Sequence, residues 1–189
     1  MQINDDIESC VHTLKKGGLI LYPTDTVWGI GCDATNKDAV EKIYNLKKRN
    51  RAKGLIILLS SEKDIPQYTL QKNVQVYDYI KGIGKPTTVI YNNPKNLALN
   101  LMHDDGSIGM RVVRDKFCKE MIEKFGRPVV STSSNISGFP APRIFSDIDI
   151  AIKQQMNYVV RYRQEETVPG IPSTVVRINS DGTYIMVRP

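Results

Sequence analysis

Lys47-x-Arg49 with Lys53, and Ser133-x-Asn135 some eighty residues later, are the residues whose types and spacing could do chemistry. Fixed cations facing a hydroxyl and a carboxamide suit a polyphosphate, because Arg makes forked contacts to phosphate oxygens and Lys supplies a movable point charge. Nothing in the chain pairs a nucleophile with its base. His12 falls within a predicted helix, and His103 precedes Asp104-Asp105-Gly106, a predicted surface turn, so a ligand role for either is disfavoured. No carboxylate dyad or metal-ligand cluster is visible, and no metal site is expected. Such an enzyme would work by positioning and electrostatics, which is what phosphoryl and nucleotidyl transfer require. Each motif also has an ordinary reading: Ser/Thr/Asn runs make turns through local hydrogen bonds, and a basic run is commonly a solvated helix face.

The cations must be presented by something rigid. The window from Lys37 to Lys53 holds seven Lys/Arg against Asp38 and Glu41, a surplus of five out of the chain's formal net charge of +6. It follows an amphipathic pattern (Ala39, Val40, Ile43, Tyr44) and precedes the apolar run Gly54–Leu59, which reads as a buried strand. Lys47, Arg49 and Lys53 therefore occupy a helix-to-strand connection. Ser131-Thr132-Ser133-Ser134-Asn135 follows directly from the strand-like Pro128-Val129-Val130 and would lie at a strand's carboxyl end, where open α/β sheets bind ligands. Neither G-x-x-x-x-G-K-[ST] nor G-x-G-x-x-G in a strand-to-helix context is present, and Gly29-Ile30-Gly31 lacks its third glycine, so side-chain cations must replace a backbone phosphate nest.

Along the chain, helix and strand alternate. Residues 4–16 read as a helix stopped by Gly17-Gly18, and Leu19–Tyr22 and Val27–Gly31 read as strands around the polar turn Pro23-Thr24-Asp25-Thr26. Thr35 with Asp38 resembles a capping box that opens the basic helix. A short apolar-periodic stretch follows around Val74, Val76 and Ile80, then strands at Thr87–Tyr91 and Ile108–Val113, and a helix with Phe117, Cys118, Met121, Ile122 and Phe125 on one face. The last third predicts a helix over about 146–156, strands at Tyr158–Val160, Thr174–Arg177 and Tyr184–Val187, and a Gly/Pro loop from Glu165 to Pro172. Without a repeat or a dividing linker, residues 1–189 read as one α/β domain, a twisted mixed sheet with flanking helices.

A chain of 189 residues with 41% apolar and 24% charged composition can bury a sizeable core, which argues against disorder. Cys10, Cys32 and Cys118 are odd in number and widely spaced, fitting a reducing, cytoplasmic setting better than a disulfide framework. The acidic N-terminus lacks the apolar core of a secretory signal, and no run is long enough to span a bilayer, so no membrane association is expected.

Four ordered motifs then point to a family. Tyr22-Pro23-Thr24-Asp25-Thr26-Val27-Trp28-Gly29, Lys47-x-Arg49 with Lys53, Ser131-Thr132-Ser133-Ser134-Asn135-Ile136-Ser137-Gly138 and Ser173-Thr174-Val175-Val176 resemble the pattern of the YrdC-like threonylcarbamoyl-adenylate synthases. The resemblance implies the YrdC-like (DHBP synthase-like) fold. It implies ATP, bicarbonate and L-threonine as substrates, with threonylcarbamoyl-adenylate and pyrophosphate as products that serve modification of the adenosine next to the tRNA anticodon. Position by position, it implies that Lys47, Arg49, Lys53, Ser107, Ser133, Asn135 and Arg188 hold ATP, the first three also being catalytic, and that Thr26, Arg111, Ser131 and Ser173 face threonine. Mg²⁺ is expected to arrive on ATP, with Asp25 the only motif acid that could assist it. Downstream threonylcarbamoyl-transferase proteins would receive the product.

The chain departs from the family pattern in places. Asn50 stands where the family usually has Pro, Gly54 where Pro or Gly is common, and Arg111-Val112-Val113-Arg114-Asp115 replaces the usual R-x-P-x-H. The extra carboxyl-terminal domain of longer relatives is not expected beyond Arg188. An alternative from another class is a non-catalytic double-stranded RNA or tRNA binding module using the same basic window, although Tyr44, its one aromatic, falls on the predicted buried stripe. Carbamoyl transfer from carbamoyl phosphate lacks the zinc-finger and acylphosphatase parts that accompany it in larger relatives.

Overall fold

The computed structural model describes residues 2–51, 54–71, 84–179 and 183–189; Lys53 and the periodic stretch at Val74, Val76 and Ile80 lie outside the described residues. The order of elements is α1 (Gln2–Lys15), β1 (Ile20–Tyr22), β2 (Gly29–Gly31), α2 (Lys37–Lys47), β3 (Ile56–Leu59), β4 (Thr87–Tyr91), β5 (Ile108–Val112), α3 (Lys116–Phe125), β6 (Val129–Ser133), α4 (Ile150–Gln154), β7 (Tyr158–Val159), β8 (Thr174–Ile178) and β9 (Tyr184–Arg188). The strands form one sheet in the order β7-β1-β2-β6-β3-β5-β4-β8-β9. Pairs β1–β7, β3–β5 and β4–β8 are parallel and the other five are antiparallel. The fold is thus the expected α/β arrangement, a twisted mixed sheet with flanking helices.

The helices form where apolar spacing and caps agree. α1 buries Ile7, Cys10, Val11 and Leu14 and packs against α3, whose buried face is Phe117, Cys118, Met121, Ile122 and Phe125. Gly126, at φ 76, ends α3 in the left-handed conformation that favours glycine. α2 is capped one residue later than the sequence predicts: Asn36 accepts from the N–H groups of Asp38 and Ala39, both at 3.0 Å. Thr35 is occupied elsewhere, its hydroxyl and N–H both donating to Asp33 Oδ1 (2.7 and 2.8 Å).

The predicted helix over 146–156 is two pieces, a 3-10 turn at Phe145–Asp147 and α4. Buried Ile148 is extended between them (φ −72, ψ 126). Asp149 then starts a new helix by accepting from the Ala151 N–H at 2.8 Å. A good N-cap residue inside an apolar pattern breaks a helix that periodicity alone joins.

The exit from α2 matters most for the site. Lys48 sits in the left-handed region (φ 48), and the Arg49 N–H returns to the Tyr44 carbonyl at 3.0 Å. The helix therefore ends between two cations only two residues apart, and their side chains leave in different directions.

Candidate active site

A cavity of about 230 Å³ opens on the sheet face formed by β2, β6, β3 and β5. Alternation along β6 puts Ser131 and Ser133 on that face, and register places Gly29 opposite Ser133. Arg111 reaches it from β5, paired in register with Leu58 of β3. Thr26 from the turn before β2, Ser173 from the start of β8 and Arg188 from the end of β9 complete its polar walls, and Arg49 enters from the α2–β3 connection. Val27, Ile56, Ala141 and Pro172 supply apolar lining. The four residues expected to face threonine thus share one cavity with Arg49, Ser133 and Arg188 from the expected ATP set.

The turn before β2 is held by its own hydroxyls. Thr24 donates to the Val27 carbonyl at 2.8 Å and lies 2.8 Å from the Thr26 hydroxyl. A hydroxyl has one proton, so Thr26 is the donor in that second bond, and its oxygen is left as an acceptor toward the cavity.

Arg111 is buried, with Nη2 3.3 Å from Asp25 Oδ1. Misalignment leaves Arg111 Nε and Nη2, and Asp25 Oδ1, without hydrogen-bond partners. Asp25 Oδ2 accepts a long bond from the Arg114 N–H at 3.4 Å. Forked donors held in place and unmet are suited to a carboxylate.

On the far wall, the Ser173 hydroxyl lies 2.9 Å from that of Thr88. The Ser173 carbonyl accepts from Arg188 Nε and Nη2 at 3.2 and 2.8 Å. Arg49 is likewise clamped, Nε and Nη2 donating to the Gly54 carbonyl at 3.1 and 2.8 Å. Burial lowers the Arg49 pKa from its ordinary value, although a guanidinium stays protonated at any working pH.

Three other expected residues sit outside this lining. Lys47 is only 1% exposed, its ammonium donating to the carbonyls of Ser133 and Asn135 while its own carbonyl accepts from the Ser137 N–H at 3.0 Å. It staples the end of α2 to the turn after β6. Burial, reinforced by the Arg49 charge, pushes its pKa down to about 7. Asn135 accepts from the Ser133 hydroxyl at 2.5 Å and donates to the Ile136 and Phe139 carbonyls. It lines a second cavity of about 560 Å³ with Phe139, Pro140, Pro142 and Ile152; Ala141 borders both cavities. Ser107 is buried, donating its hydroxyl to Asp105 Oδ1 at 2.6 Å.

The Glu165–Pro172 loop presses on the turn at Thr26. Gly170 donates to the Arg143 carbonyl at 2.9 Å, and a Cβ at 170 would stand 2.1 Å from the Thr26 carbonyl oxygen. Glycine is there because the two backbones touch.

Asp25 as the partner of Arg111, and Thr24 as the hydroxyl that orients Thr26, are the site features that motif reading missed. Their adjacency to Thr26 in the polar turn was the available signal. His103 is also more than a surface turn residue: Asp104 to Gly106 are exposed, but the imidazole packs on Gly54.

This chain matches the Sua5/YciO/YrdC family, described as "Telomere recombination", over residues 12–189. It belongs to that family. A threonylcarbamoyl-AMP synthase of Saccharophagus degradans is 35% identical over 139 residues, 72% of each chain. One of Photobacterium profundum is 29% identical over 163 residues, covering 82% of this chain and 86% of its own. Among solved structures, E. coli YciO superposes with a TM-score of 0.83 at 23% identity, over 99% of this chain and 89% of its own. P. abyssi Sua5 complexed with L-threonine gives 0.85 at 21% identity over 97% of this chain. This chain spans 53% of that Sua5 chain, so the likeness establishes the shared fold.

Proposed function

We propose that this member of the Sua5/YciO/YrdC family is a threonylcarbamoyl-AMP synthase, forming threonylcarbamoyl-adenylate and pyrophosphate from ATP, L-threonine and bicarbonate for modification of the adenosine beside the tRNA anticodon. The observation that carries it is the single cavity lined by Thr26, Arg49 and Arg111, the last with buried Nε and Nη2 that make no hydrogen bond. Arg111 binds the threonine carboxylate, with Thr26, Ser131 and Ser173 around the amine and hydroxyl. Arg49, Arg188 and Ser133 hold the phosphates, Asn135 leads into the second cavity for the nucleoside, and Ser107 completes the phosphate side; the phosphate role of Lys53 rests on the family resemblance.

The threonine amine and bicarbonate give a carbamate and water. A carbamate oxygen attacks the α-phosphorus, the bond to the β-phosphate oxygen breaks, and pyrophosphate leaves. The side chains supply alignment and charge neutralisation, with no covalent intermediate. The carbamate hydrolyses readily in water, so the loop pressed on Thr26 shelters it. Mg²⁺ is proposed to come as part of the ATP substrate, which supplies the phosphate oxygens that Mg²⁺ prefers. Downstream threonylcarbamoyl-transferase proteins and tRNA are the consumers. No helix among the described residues is long and apolar enough to cross a membrane, and cytoplasmic action on tRNA is proposed.

The RNA-binding alternative draws less support. Within the basic window, Lys47 is buried, Arg51 pairs with Glu41 and stacks over Tyr44, and Tyr44 itself is only 2% exposed. Pyrophosphate release decides between them: the synthase requires ATP, threonine and bicarbonate together, and release independent of threonine and bicarbonate would refute it.

A further inference from the structure

We propose that His103 is a positioning residue that aims Arg49 through the backbone of Gly54. The inference rests on the reading of Arg49 as the cation that meets the phosphates.

Two of the Arg49 donors share one carbonyl. Nε and Nη2 both donate to Gly54 O, so the guanidinium plane follows the orientation of that peptide. Gly54 is buried at φ +25, and a Cβ there would lie 2.7 to 2.9 Å from Cδ2, Cγ and Nε2 of His103. The imidazole therefore rests against the Cα of residue 54, and the peptide is held between a ring on one side and a guanidinium on its oxygen. That peptide is also held by the Leu55 N–H bond to the Leu101 carbonyl; removing the ring takes away the packing restraint on the side of the Cα, at a residue whose backbone has the widest conformational range of any.

The ring is itself anchored. The His103 N–H donates to the Ser107 carbonyl and its carbonyl accepts from Gly106, both at 2.9 Å, while the nearby Leu101 carbonyl accepts from Leu55 N–H at 3.2 Å. Turn and strand start are thus stitched together beside the ring. Asp104 and Asp105 on its own turn, Arg177 from β8 and Arg49 are the charges around it, and burial holds its pKa below the ordinary imidazole value. A neutral ring sits beside Arg49 without repelling it. Ser107, from the expected ATP set, hangs on the same turn, so one side chain links both parts of the phosphate side.

The test reads Arg49 directly, by its ¹⁵Nε–H resonance in the free protein, assigned by its disappearance in Arg49→Lys. His103→Ala should speed solvent exchange of that proton by about tenfold or more, as expected for loss of a charge-assisted hydrogen bond. His103→Phe, which keeps a flat ring, should leave it within about twofold of wild type. ATP titration should show an affinity loss in His103→Ala that is absent in His103→Phe, spares threonine affinity, and adds nothing in an Arg49→Ala background. A ring that merely stabilises the fold would lower melting temperature equally in both backgrounds and leave Arg49 exchange unmoved, which would overturn the proposal. Equal damage from His103→Phe and His103→Ala would overturn it too. Should Arg49 respond as expected in a protein that neither binds ATP nor releases pyrophosphate, the positioning role stands and the synthase reading fails.

Discussion

Lys47 and Arg111 are both buried cations, 1% and 3% exposed, yet their surroundings are opposite. Lys47 ends in two backbone carbonyls, with no carboxylate bonded to it among the described residues. Arg111, which lines the cavity, has a carboxylate beside it and still leaves buried Nε and Nη2 without hydrogen bonds. A buried polar group left unmet costs about 1–3 kcal/mol, a cost that the proposed threonine carboxylate would relieve. The satisfied lysine is part of the frame: its motif suggests a phosphate contact, but its geometry makes it a staple that shapes the Ser133–Asn135 turn.

The largest expected effect comes from Arg49, which, unlike Lys47, lines the cavity. Arg49→Ala should lower pyrophosphate release by at least about 10³-fold, the scale for a cation serving a transferring phosphoryl group. Its circular dichroism and melting profile should remain close to wild type, because a cation in a loop is not core. Retained activity would move phosphate binding back toward Lys47.

Arg111→Lys sharpens the contrast next. It keeps the charge but loses the fork, so kcat/KM for threonine should fall by about 10²-fold, the scale of a lost charged hydrogen-bond pair. KM for ATP should change little. An equal loss for both substrates would mean that Arg111 supports the cavity instead of gripping threonine.

Lys47 makes a stability prediction whose sign follows from burial. Its ordinary value is 10.5 and its folded value about 7, so between those pH values the unfolded chain holds the extra proton. Wild-type stability should therefore gain, as pH rises through that window, up to on the order of 4 kcal/mol from this group. Below pH 7 both states are charged and the contribution is flat. Lys47→Met lacks the slope, so urea melts at pH 6.5 and 9.5 should show the difference moving in favour of wild type at the higher pH. A constant difference would mean that the ammonium stays charged in the fold.

The smallest effect belongs to the loop over Thr26. Gly170→Ala forces a Cβ to within 2.1 Å of a carbonyl oxygen unless the loop shifts. The expected outcome is a threonine KM raised several-fold, about 1 kcal/mol, with ATP KM preserved.

Much of this was legible in the sequence where local pattern and tertiary role coincide. Strands such as Thr87–Tyr91 were readable because their apolar runs are buried in the middle of a sheet. The convergence of Arg49 with Ser133 was anticipated from element ends. Other features depend on which groups meet in space. Thr35 lost its capping role to Asn36 because Asp33 engages it, and Asp149 split a helix that periodicity joins. Nothing local to Lys47 announces that the Ser133 and Asn135 carbonyls take its hydrogen bonds. The ring of His103 takes its meaning from a glycine far away in the chain.

The central claim is that the one cavity joins threonine, carbon dioxide equivalents and the α-phosphate. Incubating the protein with ATP, threonine and ¹³C-bicarbonate, and analysing products by mass spectrometry, tests it most directly. The account predicts a threonylcarbamoyl-adenylate carrying one ¹³C, formed in step with pyrophosphate and lost in Arg49→Ala. Pyrophosphate released without a labelled adenylate, or a labelled adenylate undiminished in Arg49→Ala, would contradict it.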